Sequence, residues 1–211
     1  MPRKNIKELK GKPLLFHTID QANQSILVSK IIVSTDCSII ASWASWYNTK
    51  VVMRPAELAQ DDTPVADAVI FTIEQEEQSV DNVVILQPTS PLRTSNDIDA
   101  CILMFFEKKA DSVISFTKET HPIEWHKRIL NDGRLMTIMG KETYQRQDYC
   151  ESYYPNGAVY VFKYDLIKRK EYYTDRTYAY IMPADRSVDI DTIDDFEYAE
   201  YLMEKKANEI R

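Results

Sequence analysis

Along the 211 residues, short apolar runs alternate with longer stretches whose apolar positions recur every three or four residues. The spacing predicts a helix over 14–26. KIIVST at 30–35 is a β-branched run bounded by polar residues, hence a buried strand. A helix over 38–47 carrying Trp43 and Trp46 follows, then a strand, KVVM, at 50–53. The next helix spans 64–78, with Val65, Val69 and Ile73 four apart. NVVIL at 82–86 predicts a strand, and 95–109 a helix with Ile98, Cys101, Ile102, Phe105 and Phe106 on one stripe. DSVISF at 111–116 is another strand. From 121 to 150 the alternation stops, and Asn131-Asp132-Gly133 between two apolar runs predicts a hairpin over 128–139. GAVYVF at 157–162 resumes the core, and RSVDI at 186–190 predicts a short strand before a helix with Phe196, Ala199 and Met203 inward.

Continuous apolar strands between amphipathic helices predict an α/β fold with a mostly parallel, doubly wound sheet covered on both faces. Such sheets bind ligands at the carboxyl ends of their strands, so the loops after 35, 53 and 86 are the ones to search. The stretch 121–150 is expected to be an insertion.

Net charge is −7, which argues against nucleic acid or an anionic membrane as main partner. Cys37, Cys101 and Cys150 are odd in number and far apart, which fits a reducing cytoplasm rather than a disulfide framework. The first apolar run, 13–16, is too short for a signal peptide or a membrane span. His121 and His126 are five apart, which is not a helical ligand pair.

Against that acidic background, Arg3, Lys4, Lys7, Lys10 and Lys12 gather cations in PRKNIKELKGK, as a phosphate-binding segment or a solvated basic terminus. ILQPTSPLRT at 85–94 ends a buried strand in Gln87 and stiffens the next loop with Pro88 and Pro91. Thr89 and Ser90 lie between the prolines, and Thr94 or Ser95 is placed to cap the following helix. MRPAELAQDDT at 53–63 also follows a strand, as an exposed loop or a ligand loop led by Arg54. Four aspartates crowd 189–195. On a strand Asp189 and Asp191 share a face, roughly 7 Å apart at the backbone, and two such carboxylates suit Mg²⁺; a solvated acidic edge is the alternative. Asp194 and Asp195 belong instead to a helix start, with Thr192 and Asp195 spaced as a capping box.

PRKNIKELKGKPL, IIVSTD, RPAELAQDDT, LQPTSPLRT, ADSVIS, YPNGAVYV and RSVDIDTIDDFEYAE occur in that order. Together they resemble the cytidylyltransferases that activate sialic acids, the CMP-N-acetylneuraminate synthetases and their legionaminic and pseudaminic acid relatives. The resemblance implies a Rossmann-like nucleotidyltransferase domain over 1–211 with 121–150 as an inserted dimerisation element. It also implies a reaction of CTP with a nine-carbon 2-keto acid sugar to give the CMP-sugar and pyrophosphate, in a cytoplasmic homodimer using Mg²⁺. By the same resemblance Lys4 and Asn5 match the nucleotide-binding segment, Lys4 with a catalytic part, and Arg54 a cytidine and phosphate contact. Gln87, Thr89 and Ser90 match the sugar-binding strand end. Arg146 and Asn156 match residues on the sugar and phosphate side, Arg146 reaching the partner subunit's site. Asp189 and Asp191 match the metal ligands. Three positions depart from the family. Its first strand and Gly-rich loop, of the type IIPARGGSKG, do not stand between Met1 and Pro2, Tyr154 replaces a common arginine, and Ala66 falls near a common serine. The first departure sustains an alternative expectation, a noncatalytic dimeric nucleotide-binding or scaffolding protein.

Overall fold

The computed structural model describes residues 3–47, 49–60, 62–77, 79–138 and 150–209. A short hairpin, β1 (Glu8–Leu9) and β2 (Lys12–Pro13), leads into α1 (Leu14–Gln24). Then come β3 (Ile32–Thr35), α2 (Ser38–Trp46), β4 (Lys50–Met53), α3 (Val65–Glu74), β5 (Asn82–Ile85) and α4 (Ser95–Glu107). β6 (Ser112–Lys118), β7 (Lys127–Ile129), β8 (Leu135–Thr137), β9 (Tyr153–Lys163), α5 (Tyr164–Arg169), β10 (Thr177–Ile181) and α6 (Ile193–Glu209) complete the order.

The main sheet runs β10-β6-β9-β5, and β3 and β4 form a separate parallel pair. β10 lies parallel to β6, whereas β9 is antiparallel to both β6 and β5. The architecture is the expected α/β, with a mixed sheet. An apolar run shows that a strand is buried on both faces but not which way it points, so sequence could not place the reversed β9.

α4 covers one face, packing Ile98, Cys101, Ile102 and Phe105 against Val113, Ala158, Val159 and Val161. Each buried Val, Ile or Phe among them, taken out of water, contributes roughly 1.5–3 kcal/mol. Phe106, expected on that stripe, is 60% exposed. The other face buries Ile114 and Phe162 under Ala66 of α3 and Leu166 and Ile167 of α5. On α3 Ala66, Ala68 and Thr72 are buried and the expected Val69 packs against the core with Ile70, whereas Val65 is exposed. Phe196 and Ala199 of α6 join Leu9, Leu14 and Ile190, so both ends of the described chain close over one small core. Among the described residues no helix is long and apolar enough to cross a membrane.

The expected hairpin is β7 paired with β8, a two-stranded sheet of its own. The short strand expected over 186–190 does not form. Ala184–Arg186 make a 3-10 turn and the following residues join no ladder. Among the described residues their one long-range backbone bond is Ile190 N–H to the Thr89 carbonyl at 2.8 Å.

Candidate functional site

The site is built where the end of β5 meets an irregularity in β9. Opposite β6 the register jumps, from Ile114 paired with Tyr160 to Phe116 paired with Pro155, so β9 bulges through 156–159. A bulge leaves backbone groups without ladder partners, and buried ones need substitutes. Side chains supply them. The Ala158 N–H donates to Asn156 Oδ1 at 3.2 Å and the Val159 N–H to Ser115 Oγ at 2.8 Å. The Asn156 carbonyl accepts from Ser90 Oγ at 3.3 Å, and the Ala158 carbonyl from Arg93 Nε at 2.8 Å.

Gly157 sits in this bulge at φ +74°, a left-handed conformation suited to glycine. A Cβ there would lie 2.8 Å from Gln87 Oε1, 3.2 Å from Ser90 Oγ and 3.3 Å from Asp189 Oδ2. Three oxygen-bearing groups, two from the loop after β5 and one from the 189–191 segment, therefore converge on one glycine. Asn156 is 2% exposed, and its amide is engaged inside the protein: Oδ1 also accepts from Ser115 Oγ at 2.6 Å, and Nδ2 donates to Ser187 Oγ at 2.8 Å. Its geometry is that of a support under Gly157.

Beside this cradle, Lys4 Nζ donates to Asp191 Oδ1 at 2.8 Å and to the Ile190 carbonyl at 2.9 Å. Ile190 is thus held through its N–H by Thr89 and through its carbonyl by Lys4. Asp189 and Asp191 flank it on an unpaired segment, not on the shared strand face expected. Asp189 borders Gln87 and Ser90, and Asp191 carries the ammonium of Lys4. Asp195 is separate, as expected. Its Oδ2 accepts from the Thr192 N–H at 2.8 Å while its own N–H donates to Thr192 Oγ1 at 3.2 Å. The bond from the Thr192 backbone, with that from its hydroxyl, holds the Asp195 carboxyl below its usual range.

Two further expected residues carry polar atoms without partners. Asn5 Oδ1, next to Lys4, and Arg54 Nε are both buried with no hydrogen bond to the described residues. Arg54 leaves the end of β4 with its N–H on the Thr35 carbonyl at 2.8 Å, at the carboxyl ends of the β3–β4 pair. Such orphaned groups in a folded protein suit a ligand. Lys4, Gln87, Thr89, Ser90, Asn156, Asp189 and Asp191 are brought together, with Asn5 alongside. Arg54 stands on the second sheet, and Arg146 lies outside the described residues.

Sequence reasoning missed the frame behind the cradle. Asp97 is 1% exposed and takes Arg186 Nη2 at 2.8 Å, Arg186 Nε at 3.1 Å and Tyr180 OH at 3.1 Å. It also completes the capping box with Thr94, so the predicted cap of α4 is Thr94. Burial opposes its ionisation, but the bonds from Arg186 and Thr94 outweigh it and leave the carboxyl below its usual range. This pair ties the segment before Ser187 to the start of α4. The spacing Thr94-x-x-Asp97 was a usable signal for the cap. Nothing local marked Arg186 as its partner, 89 positions away.

The family model for cytidylyltransferases matches residues 1–210. The chain is 35% identical over 221 aligned residues to the N-acylneuraminate cytidylyltransferase of Streptococcus agalactiae, covering 100% of this chain and 53% of that protein. It therefore spans about half the length of those relatives. It is 34% identical to the CMP-N,N'-diacetyllegionaminic acid synthase of Legionella pneumophila, over 97% of this chain and 90% of that protein. Among solved structures, CMP:2-keto-3-deoxy-manno-octonic acid synthetase complexed with CTP has a TM-score of 0.73 at 14% identity, covering 98% of this chain and 93% of that one. The 4-diphosphocytidyl-2C-methyl-D-erythritol synthase of Anaerococcus prevotii has a TM-score of 0.66 at 14% identity, over 95% and 93%. These two likenesses share the nucleotidyltransferase fold, and the match of the family model along almost the whole sequence places the chain in the cytidylyltransferase family.

Proposed function

We propose that this protein transfers a cytidylyl group from CTP to a nine-carbon 2-keto acid sugar of the sialic type, releasing pyrophosphate. The observation that carries the reading is the convergence of Gln87, Ser90 and Asp189 on Gly157, next to the Lys4–Asp191 pair, at the strand ends of a cytidylyltransferase-family chain. In the reaction the sugar's anomeric oxygen forms a bond to the α-phosphorus, the α–β bridging bond breaks, and the hydroxyl proton leaves. Phosphoryl-type transfer depends mainly on positioning and charge neutralisation, and this chain offers both. Lys4, Asn5 and Arg54 hold the nucleotide: the ammonium meets phosphate oxygens, and the two orphaned polar atoms gain partners. Gln87 and Thr89 orient the sugar acid, with the buried Ser90 and Asn156 fixing the floor beneath them. Arg146 serves the sugar and phosphate side of the partner's site, and 121–150 holds the homodimer together.

The carboxylates of Asp189 and Asp191 are hard oxygen donors that fit Mg²⁺, and Asp191 already accepts a cation, the ammonium of Lys4. When bound there, Mg²⁺ would neutralise charge on the phosphates and on departing pyrophosphate. Pyrophosphate release with each of the four nucleoside triphosphates and N-acetylneuraminate tests the proposal. CTP should be preferred and EDTA should stop turnover; equal rates with ATP or GTP would refute it.

A further inference from the structure

Arg93 heads the fully buried side chains by size, at 1% exposure, and it is a cation. Its hydrogen-bond acceptors are all neutral: the Ala158 carbonyl at 2.8 Å, Thr18 Oγ1 at 2.7 Å and the Gln87 carbonyl. Burial pushes its pKa down to about 9, against the pull of Asp189 and Asp97. Burying a charge without a direct counter-ion is costly, and a neutral amide could cap one carbonyl for less. A planar guanidinium does something an amide cannot. It reaches the bulge in β9, the loop after β5 and helix α1 with one rigid fork.

Two of those anchors lead straight to the site. The Ala158 carbonyl belongs to the bulge that holds Gly157. The Gln87 carbonyl also accepts the Ser90 N–H at 3.3 Å, and two residues along, the Thr89 carbonyl holds the Ile190 N–H at 2.8 Å. Ile190 is the residue between Asp189 and Asp191. A continuous path of bonds and a three-residue loop thus joins Arg93 to the aspartates without Arg93 reaching the cradle itself.

We propose that Arg93 is a positioning residue: by bridging the Gln87 and Ala158 carbonyls it fixes the spacing at which Gln87 and the 189–191 segment, packed over the buried Ser90, face the sugar acid. What binds there rests on the cytidylyltransferase reading; the spacing does not. The side chain keeps a fixed place because Thr18 Oγ1 holds its far end.

The test uses Arg93→Lys, which keeps the charge but loses the fork, and Thr18→Val, which keeps Arg93 but frees its far end. Amide hydrogen exchange is measured at Ser90 and Ile190, with Val33 and Ser34 of β3 as reference, alongside KM for N-acetylneuraminate and for CTP. In Arg93→Lys, exchange at Ser90 and Ile190 should accelerate about ten-fold and KM for the sugar acid rise about ten-fold, with β3 exchange and KM for CTP unchanged. Thr18→Val should move the same readouts in the same direction by less, and decides the matter if Arg93→Lys does not fold. Uniform acceleration at all amides, or unchanged Ile190 exchange and sugar-acid KM in a folded variant, overturns the role. A wild type that forms no CMP-sugar sinks the cytidylyltransferase reading, while the exchange comparison still decides for or against Arg93.

Discussion

Around Gln87 and Asn156 the protein buries polar side chains and gives nearly every one a partner; on the hairpin β7–β8 it leaves apolar side chains in solvent. Ser90, Arg93, Asp97, Ser115, Asn156 and Ser187 are all buried, and each is hydrogen-bonded. Ile129 is 72% exposed and Leu135 67%, with Trp125 and Ile138 also in solvent. Both regions depart from the ordinary sorting of residues, but in opposite directions. Buried polar groups cost free energy unless satisfied, so a satisfied network defines one conformation and suits a site that must hold a geometry. Exposed apolar area costs little in the protomer and gains free energy when a partner covers it.

The largest expected effect tests the first half of that contrast. Asp97→Asn exchanges the charge-assisted bonds from the partly exposed Arg186 for weaker neutral ones and should cost roughly 2–3 kcal/mol in urea unfolding. The pH dependence has a definite sign. The folded carboxyl of Asp97 titrates below its unfolded value, so its contribution is present above the unfolded pKa and lost as pH falls through the folded one. Wild type should therefore weaken on acidification more steeply than Asp97→Asn. A variant as stable as wild type would mean the network is dispensable.

Next is Gly157→Ala. Its φ of +74° disfavours any Cβ, and the added methyl would press on Gln87 Oε1 at 2.8 Å. The strain should be on the order of 2 kcal/mol by thermal melt. Turnover should fall further than stability does, because the group displaced is the proposed sugar contact. Loss of stability with unchanged KM for the sugar acid would detach Gly157 from the site.

Much of this was legible beforehand, for physical reasons that vary by element. α1, β3, α2, β4 and β5 follow local period and composition, so their positions came out within a few residues. β10 was legible but overlooked: TYAYI is rich in β-favouring Thr, Tyr and Ile with alternating character. The strand expected at 186–190 failed because SVDI has strand-like composition but no neighbouring strand to pair with; Thr89 offers it a single carbonyl. At the site, Lys4, Gln87, Ser90, Asp189 and Asp191 were read from motifs, and they do cluster. Arg93 and Arg186 were not, because their importance lies in acceptors far along the chain. The role of Asn156 changed for the same reason: its motif marked the place, and only the packing shows that its amide faces Ser115 and Ser187.

A smaller effect separates the aspartates. Asp195→Asn should cost up to about 1 kcal/mol through the weakened capping box on α6. Its depressed pKa gives the same sign as for Asp97: the contribution is kept above the unfolded carboxylate range and fades as pH drops through the folded value. Turnover should hardly change, whereas Asp189→Asn should remove most of it with little effect on melting. If Asp195→Asn abolishes turnover and Asp189→Asn does not, the division of the acidic cluster is wrong.

The smallest expected effect on the protomer's fold comes from the hairpin and sharpens the comparison most. Ile129 and Leu135 face each other across β7–β8 in register, and both are largely in solvent. Replacing both with threonine keeps strand propensity and removes apolar surface that the protomer does not bury. Stability of the isolated protomer should stay within about 0.5 kcal/mol. Mass by light scattering should nonetheless fall from dimer to monomer if 121–150 is the dimerisation element, because apolar area at an interface core contributes to association even where it contributes nothing to folding. A dimer of unchanged affinity would assign this exposed surface to something other than self-association. A protomer destabilised by several kcal/mol would mean that the hairpin is part of the core after all, and the contrast with the buried cradle would fail.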